Sequence, residues 1–284
     1  MSNIKPFDLN LIVKGEEISV KFLFDLDKFS IQVMYSYLSQ GKLYEPDLSY
    51  FLMKILGKSD VFLDVGAHVG FFSVIAGKLV GPEGCVVAFE PEEENLQSLK
   101  KHVEINGVSN IEVVDKVVCD TDGPRTFYIN RDNDGGHCLW DVGVHPFNKK
   151  SAADPKPLTI EAVSLDTALA ERRIENVKLL KIDTEGGEHQ VCKGARQALE
   201  KHAIPFVVCE LNDFGLEQLD SSQENFRAFM KDLGYDTFLM DGDGEFPKLL
   251  PNSVAIASKS KSVSNVLFSR LEFLTPYWNV ETIE

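Results

Sequence analysis

The sequence has few cysteines, fewer basic than acidic residues, and no long uninterrupted apolar run. Its five cysteines are widely spaced and form no Cys-x-x-Cys pair, which argues against a disulfide framework or a zinc cluster. The 29 lysines and arginines face 44 aspartates and glutamates, and the resulting net charge of −15 repels phosphate-rich partners. We therefore expect no binding to nucleic acid or to an anionic membrane.

The sequence also lacks the patterns of a secretion signal and of a membrane span. Its N-terminus is polar and acidic, where a signal peptide has a basic start and an apolar run. The most apolar stretch, residues 61–80, is interrupted by Asp64, His68 and Lys78. The cysteines, without a disulfide framework, are expected to be reduced thiols. Together these features predict a cytoplasmic protein.

Residues 1–57 predict a hairpin and two helices that pack on a larger domain. The hairpin joins the apolar segments Phe7–Val13 and Ile18–Phe24 through a turn at Gly15. The helices are expected over Ser30–Ser39 and Pro46–Leu56, with Pro46 at the permitted first turn.

Residues 58–258 alternate short apolar runs with helical segments. Parallel strands need crossover connections, so this alternation predicts an α/β domain with a mostly parallel sheet. The expected strands are Val61–Val65, Cys85–Phe89, Ile111–Val114, Val177–Ile182, Phe206–Glu210, Tyr235–Met240 and Ser253–Ala257. The expected helices are Gly70–Leu79, Pro91–Asn106, Glu188–Lys201 and Gln223–Leu233.

Two segments depart from this alternation. Residues 124–163 are rich in Gly, Pro, Asn and Asp, and a polar insertion of this length is typical of a substrate loop. Residues 241–252 connect the last two expected strands and show no helical period. We therefore interpret this connection as a hairpin and expect the last strand to be antiparallel. We expect the tail, residues 259–284, to cap the domain or to form a homodimer contact through its apolar side chains.

The first chemical motif runs from Leu63 to Gly70, where the first sheet strand meets its helix. Ligands of open parallel sheets bind at the carboxyl ends of the strands, where glycine lets a ligand approach the backbone. A dinucleotide fingerprint needs Gly-x-Gly-x-x-Gly, but His68 occupies the second glycine position. The motif disfavours a dehydrogenase, although its glycines would also suit a plain turn.

Carboxylates follow two further strands. Glu90 lies one strand-helix-strand step after Asp64, where a carboxylate accepts the ribose hydroxyls of an adenosine. Its alternative role is a helix N-cap, for which glutamate is poorly suited. Asp183 and Glu185 follow the fourth strand and are candidates for contact with substrate or the reacting centre. Glu188 has the alternative role of a favourable charge in the first turn of a helix.

These motifs resemble, in order and spacing, the FkbM-type methyltransferases. The resemblance covers roughly residues 58–240. It is carried by Asp64–Gly70, Ala88–Pro91, Asn106, Val163–Asp166, Lys181–Glu188 and Lys193–Ala195.

The resemblance implies the class I methyltransferase fold, whose Rossmann-like sheet has an antiparallel last strand, and S-adenosylmethionine as cofactor. It also implies methyl transfer to a hydroxyl of a sugar, polyketide or related small metabolite. The segment 134–138 departs from the Ser-rich stretch of the family, so the resemblance does not define the acceptor pocket. By position, the expected cofactor contacts are Asp64, Gly66, His68 and Gly70 around the methionine part, Glu90 at the ribose and Asp183 near the methyl group.

A hydroxyl acceptor benefits from a nearby base, and we expect His137 or Asp183 to serve, with Glu185 as a further catalytic candidate. Asp183, Glu185 and Glu210 offer oxygen ligands, but no ligand spacing supports a metal, so we predict none. Two alternatives stay open: an NAD-dependent oxidoreductase on a related sheet, and a non-catalytic binding protein on the same fold.

Overall fold

The computed structural model describes residues 3–240, 247–254, 256 and 264–282. Its N-terminal segment begins with an antiparallel hairpin of β1 (Ile4–Val13) and β2 (Glu16–Asp25). The expected turn at Gly15 is confirmed, because Lys14 and Gly15 both have positive φ, 53° and 83°. Two helices follow, α1 (Phe29–Ser39) and α2 (Pro46–Ile55), close to their expected positions.

The main domain alternates strands and helices as the sequence predicts. The first part contains β3 (Val61–Val65), α3 (Phe71–Val80), β4 (Cys85–Phe89), α4 (Glu93–Asn106) and β5 (Ile111–Val114). The insertion contains β6 (Val117–Val118), β7 (Gly123–Tyr128), a 3₁₀ turn (Val142–Val144), α5 (Lys149–Ala153) and β8 (Pro157–Val163). The rest contains α6 (Leu165–Arg172), β9 (Leu179–Ile182), α7 (Glu188–Gly194), α8 (Arg196–Glu200), β10 (Phe206–Leu211), α9 (Asp213–Gln218), α10 (Gln223–Asp232), β11 (Asp236–Met240), β12 (Pro247–Leu249), β13 (Ser264–Ser269), α11 (Leu271–Leu274) and β14 (Glu281–Thr282).

Within the described residues, nine strands form one sheet in the order β14-β12-β11-β13-β10-β9-β3-β4-β5. Neighbours from β10 to β5 are parallel, whereas β13 is antiparallel to both β10 and β11. This confirms the class I methyltransferase fold. The antiparallel strand was expected at Ser253–Ala257, and that position is wrong. Ser253 and Val254 lie in a turn, while Ala255 and Ala257 fall outside the described residues.

Side chains of the central strands alternate between two hydrophobic clusters, one on each face of the sheet. Phe62 and Val86 belong to the first cluster, and their neighbours Leu63 and Val87 belong to the second. The first cluster also contains the buried residues of β2, α1, α2 and α3. The N-terminal segment therefore packs on the same face of the sheet as the crossover helix α3.

Two further details differ from the sequence-based expectations. Helix α4 starts at Glu93 and not at Pro91, because the Glu92 side chain caps it by accepting from the Asn95 N–H. The expected helix over Glu188–Lys201 breaks at Ala195 into α7 and α8. The break adjoins Gly194, where a Cβ would overlap the main chain of Cys119.

Residues 264–282, within the expected tail, contribute two sheet strands and an apolar cap. Strand β13 lies inside the sheet, and the Trp278 ring stacks on Phe51 of α2 with centroids 5.3 Å apart. In the part of the chain that the structure describes, no helix combines the length and apolar character needed to cross a membrane.

Candidate functional site

A cavity of about 340 Å³ opens at the carboxyl ends of β3, β4, β9 and β10, the usual ligand position in this kind of sheet. Two parts of its lining differ in chemistry. The glycine-loop end consists of Gly66, His68 and Glu90, and the acidic end consists of Glu45, Asp183, Glu185 and Glu210. The insertion adds part of the wall, including His137.

Gly66 lines the cavity with a left-handed φ of 75°. A Cβ there would overlap the main-chain oxygen of Asp183. The Asp183 N–H donates to the Val65 carbonyl (3.0 Å), and the Gly66 N–H donates to the Phe89 carbonyl (3.1 Å). Glycine is therefore required because three loops meet at this point.

Asp64 and Gly70, both expected to border the cofactor, lie outside the residues that line the cavity. Asp64 is fully buried, accepts from the Ser73 hydroxyl (2.6 Å) and lies 3.4 Å from Lys181 Nζ. Burial raises the pKa of Asp64 against the opposing effect of Lys181. Gly70 is constrained by packing, because a Cβ would overlap the Leu99 side chain. Both residues support the cavity wall from behind.

Glu90 closes the glycine-loop end. Its Oε2 accepts from the His68 N–H (2.7 Å) and its Oε1 from the Glu92 N–H (2.9 Å). Burial raises the pKa of Glu90 to about 7. The alternative role as helix cap is excluded, since Glu92 fills it.

The His68 side chain joins three segments of the chain. Its Nε2 lies 3.3 Å from both Asp134 Oδ2 and Ser30 Oγ, and the Ser30 hydroxyl donates to Asp134. Although burial opposes it, hydrogen bonds from His68 and Ser30 hold the pKa of Asp134 well below its usual range. The β3–α3 junction is thus tied to α1 and to the insertion.

Carboxylates from three parts of the chain meet at the acidic end. Burial, together with Asp183, raises the pKa of Glu45 to about 7 and that of Glu185 to about 8. The same causes raise the pKa of Glu210. Lys181 lies behind Asp183, with Nζ 3.3 Å from Asp183 Oδ2. In the described residues, no group of three or more His, Cys, Asp or Glu has an arrangement that would hold a metal ion.

Glu188 lies in the first turn of α7, as one of its expected roles requires, whereas His137 has other surroundings than expected. Glu188 is fully buried, and its Oε1 accepts from the Thr184 N–H (3.1 Å) and the Gly186 N–H (3.0 Å), so it organises the loop that carries Glu185. His137 lines the cavity, but its Nδ1 accepts from the Asn130 N–H (2.9 Å). Burial lowers the pKa of His137 to about 4, which weakens it as a base at neutral pH.

The lining residues that were given no role from the sequence include Tyr44, Glu45 and Asn95. Asn95 is buried, and its Oδ1 has no protein hydrogen-bond partner, while its Nδ2 donates to the Asp134 carbonyl (2.9 Å). A buried acceptor without a partner in a cavity wall fits a site that receives a ligand. A single polar residue in the first turn of a helix gives no local signal for this role.

Comparisons with known proteins place the chain among methyltransferases. The family model "Methyltransferase FkbM domain" matches residues 64–237. An FkbM methyltransferase structure from Methylobacillus flagellatus is similar at 18% identity and a TM-score of 0.42, over 74% of this chain and 43% of that one. A putative methyltransferase from Streptococcus mutans, in complex with S-adenosylhomocysteine, is similar at 11% identity and a TM-score of 0.45, over 79% and 97%. No curated protein gives a significant match.

Proposed function

The chain belongs to the FkbM methyltransferase family and uses S-adenosylmethionine as its cofactor, and we propose that it methylates a hydroxyl of a small metabolite such as a sugar or polyketide. The observation that supports this proposal is that one cavity is lined both by the residues of the glycine-loop end and by the carboxyls of the acidic end. The first suits an adenosyl group and the second suits the acceptor.

At the glycine-loop end, the Glu90 carboxylate binds the ribose hydroxyls, and the loop through Gly66 and His68 borders the methionine part. Both Glu90 oxygens already accept main-chain N–H groups, so the carboxylate is held in a fixed orientation. A fixed orientation reduces the entropy lost on binding. Asn95 Oδ1, which has no protein partner, is available to accept a hydrogen bond from the same ligand.

When bound, S-adenosylmethionine would supply an electrophilic methyl group for transfer from its sulfur to the acceptor oxygen. Asp183 lies at the junction of the two ends and positions the acceptor beside that methyl group. The Glu185 carboxylate, whose pKa of about 8 suits neutral pH, takes the hydroxyl proton. Its Oε2 accepts from the Asn212 amide (2.7 Å), which orients the group. Positioning of this kind contributes roughly 7–11 kcal/mol to a displacement.

Thermal unfolding with three ligands tests the cofactor part of the proposal. S-adenosylhomocysteine and S-adenosylmethionine should raise the melting temperature, because a ligand at 100 times its Kd stabilises the native state by about 2.7 kcal/mol. NAD should leave it unchanged. Stabilisation by NAD alone would favour an oxidoreductase, and no stabilisation by either adenosyl compound would refute the proposal.

Asp183→Asn tests the transfer step. We expect S-adenosylhomocysteine binding to persist while release of this product from S-adenosylmethionine, measured with a pool of sugar and polyketide alcohols, is lost. Glu104→Gln, an exposed change of the same charge, is the matched control. Equal product release by Asp183→Asn and the control would remove Asp183 from the site.

A further inference from the structure

A second cavity lies at the edge of the sheet opposite the candidate site, and we call it the amino-end cavity. Its volume is about 520 Å³, and it is bordered by Val61, Lys178 and Phe206 at the amino ends of β3, β9 and β10. Residues of the segment 272–277, outside the family match over residues 64–237, form another part of its wall. It shares no lining residue with the candidate site, so the proposed methyl transfer gives it no role.

A lysine without a carboxylate partner lines the amino-end cavity. Lys178 Nζ donates to the Tyr277 hydroxyl (3.2 Å) and lies over the rings of Phe206 and Tyr277, 5.4 and 5.5 Å from their centroids. In the part of the chain that the structure describes, no ion pair includes Lys178. An ammonium group has three N–H donors, and the tyrosine takes one of them. Two donors therefore remain for a ligand.

Two carboxylates in the same wall have partners other than Lys178. Asp60 Oδ2 accepts from the Gly57 N–H (2.8 Å), and Glu272 Oε1 lies 3.4 Å from Arg270 Nε. The Glu272 side chain is also 62% exposed, so solvent screens its charge. The Lys178 ammonium is therefore free to pair with an anion. The two carboxylates nevertheless disfavour a doubly charged anion, such as a phosphate monoester, relative to a singly charged one.

A buried nitrogen without a partner lies in the wall of the same cavity. His202 lines the amino-end cavity, and its buried Nδ1 has no hydrogen-bond partner among the described residues. Its backbone adopts a left-handed φ of 53°, which is uncommon for a residue other than glycine. Buried polar atoms of native proteins nearly always have a hydrogen-bond partner. The orphaned nitrogen is therefore a second observation, independent of Lys178, that indicates a molecule bound at this place.

We propose that the amino-end cavity binds a small organic acid with a flat apolar ring, an aromatic monocarboxylate. Lys178 donates to the carboxylate, and the Tyr277 hydroxyl, which accepts from Lys178, directs its own proton to the same group. Phe206 and Phe273 also line the cavity, and aromatic side chains pack well against a flat ring. The His202 imidazole adds a polar contact in the wall. The inference is independent of the proposed methyl transfer.

Three probes of one shape test the assignment on the full chain. They are naphthalene-2-carboxylate, its neutral carboxamide and 2-naphthyl phosphate, each titrated by calorimetry and by ligand-observed NMR. We expect the carboxylate to bind at least about tenfold more tightly than the carboxamide, because hydrogen bonds between charged partners are the stronger ones. It should also bind more tightly than the phosphate, and S-adenosylhomocysteine should not displace it. No binding of the carboxylate, equal binding of the carboxamide, tighter binding of the phosphate or displacement by S-adenosylhomocysteine would overturn the proposal.

Lys178→Met should weaken binding of the carboxylate by about 10–100-fold, the loss of a hydrogen bond between charged partners, and leave binding of the carboxamide nearly unchanged. Lys54→Met is the matched control. Lys54 Nζ also lies over an aromatic ring, 4.6 Å from the centroid of Trp278, but Lys54 does not line the cavity. Equal carboxylate affinity in the two variants would overturn the proposal.

Tyr277→Phe serves as a second variant, because it keeps the ring in the wall and removes only the hydroxyl. We expect a loss of about threefold to tenfold in carboxylate affinity, as for one hydrogen bond of ordinary strength. Melting temperatures of all variants verify that each is folded, and Tyr277→Phe decides the question if Lys178→Met does not fold. Carboxylate affinity equal to that of the wild type in Tyr277→Phe would then refute the assignment.

Discussion

The two ends of the cavity are built in different ways. The glycine-loop end comes from neighbouring loops of one strand-helix-strand unit, and main-chain N–H groups of His68 and Glu92 hold its carboxylate. The acidic end is formed by four carboxyl side chains that are far apart in the chain, from Glu45 to Glu210. The pKa of three of them is raised. Local backbone geometry therefore defines the first end, and tertiary packing defines the second.

Lys181 connects the two ends, and its removal should have the largest effect. Lys181→Met leaves the buried Asp64 without its counter-ion, so we expect a loss of about 3–5 kcal/mol in the free energy of unfolding, measured by denaturant titration. The loss should shrink at lower pH, because protonated Asp64 needs no counter-ion. Lys101→Met, an exposed loss of the same charge, should change stability by less than about 0.5 kcal/mol. Equal losses in the two variants would show that Lys181 does not hold the ends together.

Gly66→Ala should damage the glycine-loop end almost as severely. The new Cβ would overlap the main chain of Asp183, and the alanine would have to adopt a left-handed φ. Together these effects lower the free energy of unfolding by about 2–5 kcal/mol. Gly107→Ala is the matched control: its φ is also positive, at 59°, but no atom lies within 4 Å of the added Cβ. We expect it to cost only about 1–2 kcal/mol. Melting curves that coincide would mean that the contact between the two loops relaxes freely.

The sequence predicts the glycine-loop end well because its residues are close together in the chain. Gly66 and Glu90 each follow a clear apolar strand, so their positions at the same sheet edge could be inferred before the structure. The position of Asp64 behind the cavity wall could not, since the pattern marks the end of the strand but not the side to which a side chain points. A one-residue difference along a strand moves a side chain to the opposite face.

The sequence predicts the acidic end only in part. Asp183 and Glu185 lie in one motif, but Glu45 reaches them only because the N-terminal segment covers a face of the sheet. The antiparallel strand was misassigned for a similar reason. Residues 253–257 and 264–269 are both short and apolar, and only pairing with β10 and β11 selects the second. Partner choice of this kind depends on long-range contacts that no local pattern contains.

Glu90→Gln tests whether orientation by the backbone matters for ligand binding. A glutamine has one amide nitrogen where the wild type has a second acceptor, so it cannot accept from both the His68 and Glu92 N–H groups. We expect S-adenosylhomocysteine affinity to fall by about 10–100-fold in calorimetry, the cost of about 1.5–3 kcal/mol for hydrogen bonds to a charged group. Glu93→Gln, nearby in the chain and exposed, should bind normally. Unchanged affinity in Glu90→Gln would remove Glu90 from the ribose site.

The smallest expected effect lies behind the acidic end, at Glu188. Burial raises the pKa of Glu188 from 4.5 to about 7, so its protonated form is favoured in the folded state. Its contribution to stability is fully present below about pH 4.5 and is lost as the pH rises through about 7. Glu188→Gln stays neutral and places an amide where Oε2 has no partner. Relative to the wild type, the variant should gain about 1–2 kcal/mol between pH 5 and pH 8.

Denaturant titrations at several pH values measure this gain, with Glu104→Gln as an exposed control that should show no pH trend. The variant also separates two roles of the loop over residues 184–186. The side-chain carbonyl of Glu188→Gln would still accept the Thr184 and Gly186 N–H groups, so the backbone that presents Glu185 should keep its conformation. If stability changes with pH as expected but S-adenosylhomocysteine binding does not, Glu188 organises the loop and titrates independently of the ligand. A flat pH difference would instead mean that Glu188 stays ionised when buried, stabilised by the loop N–H groups that surround it.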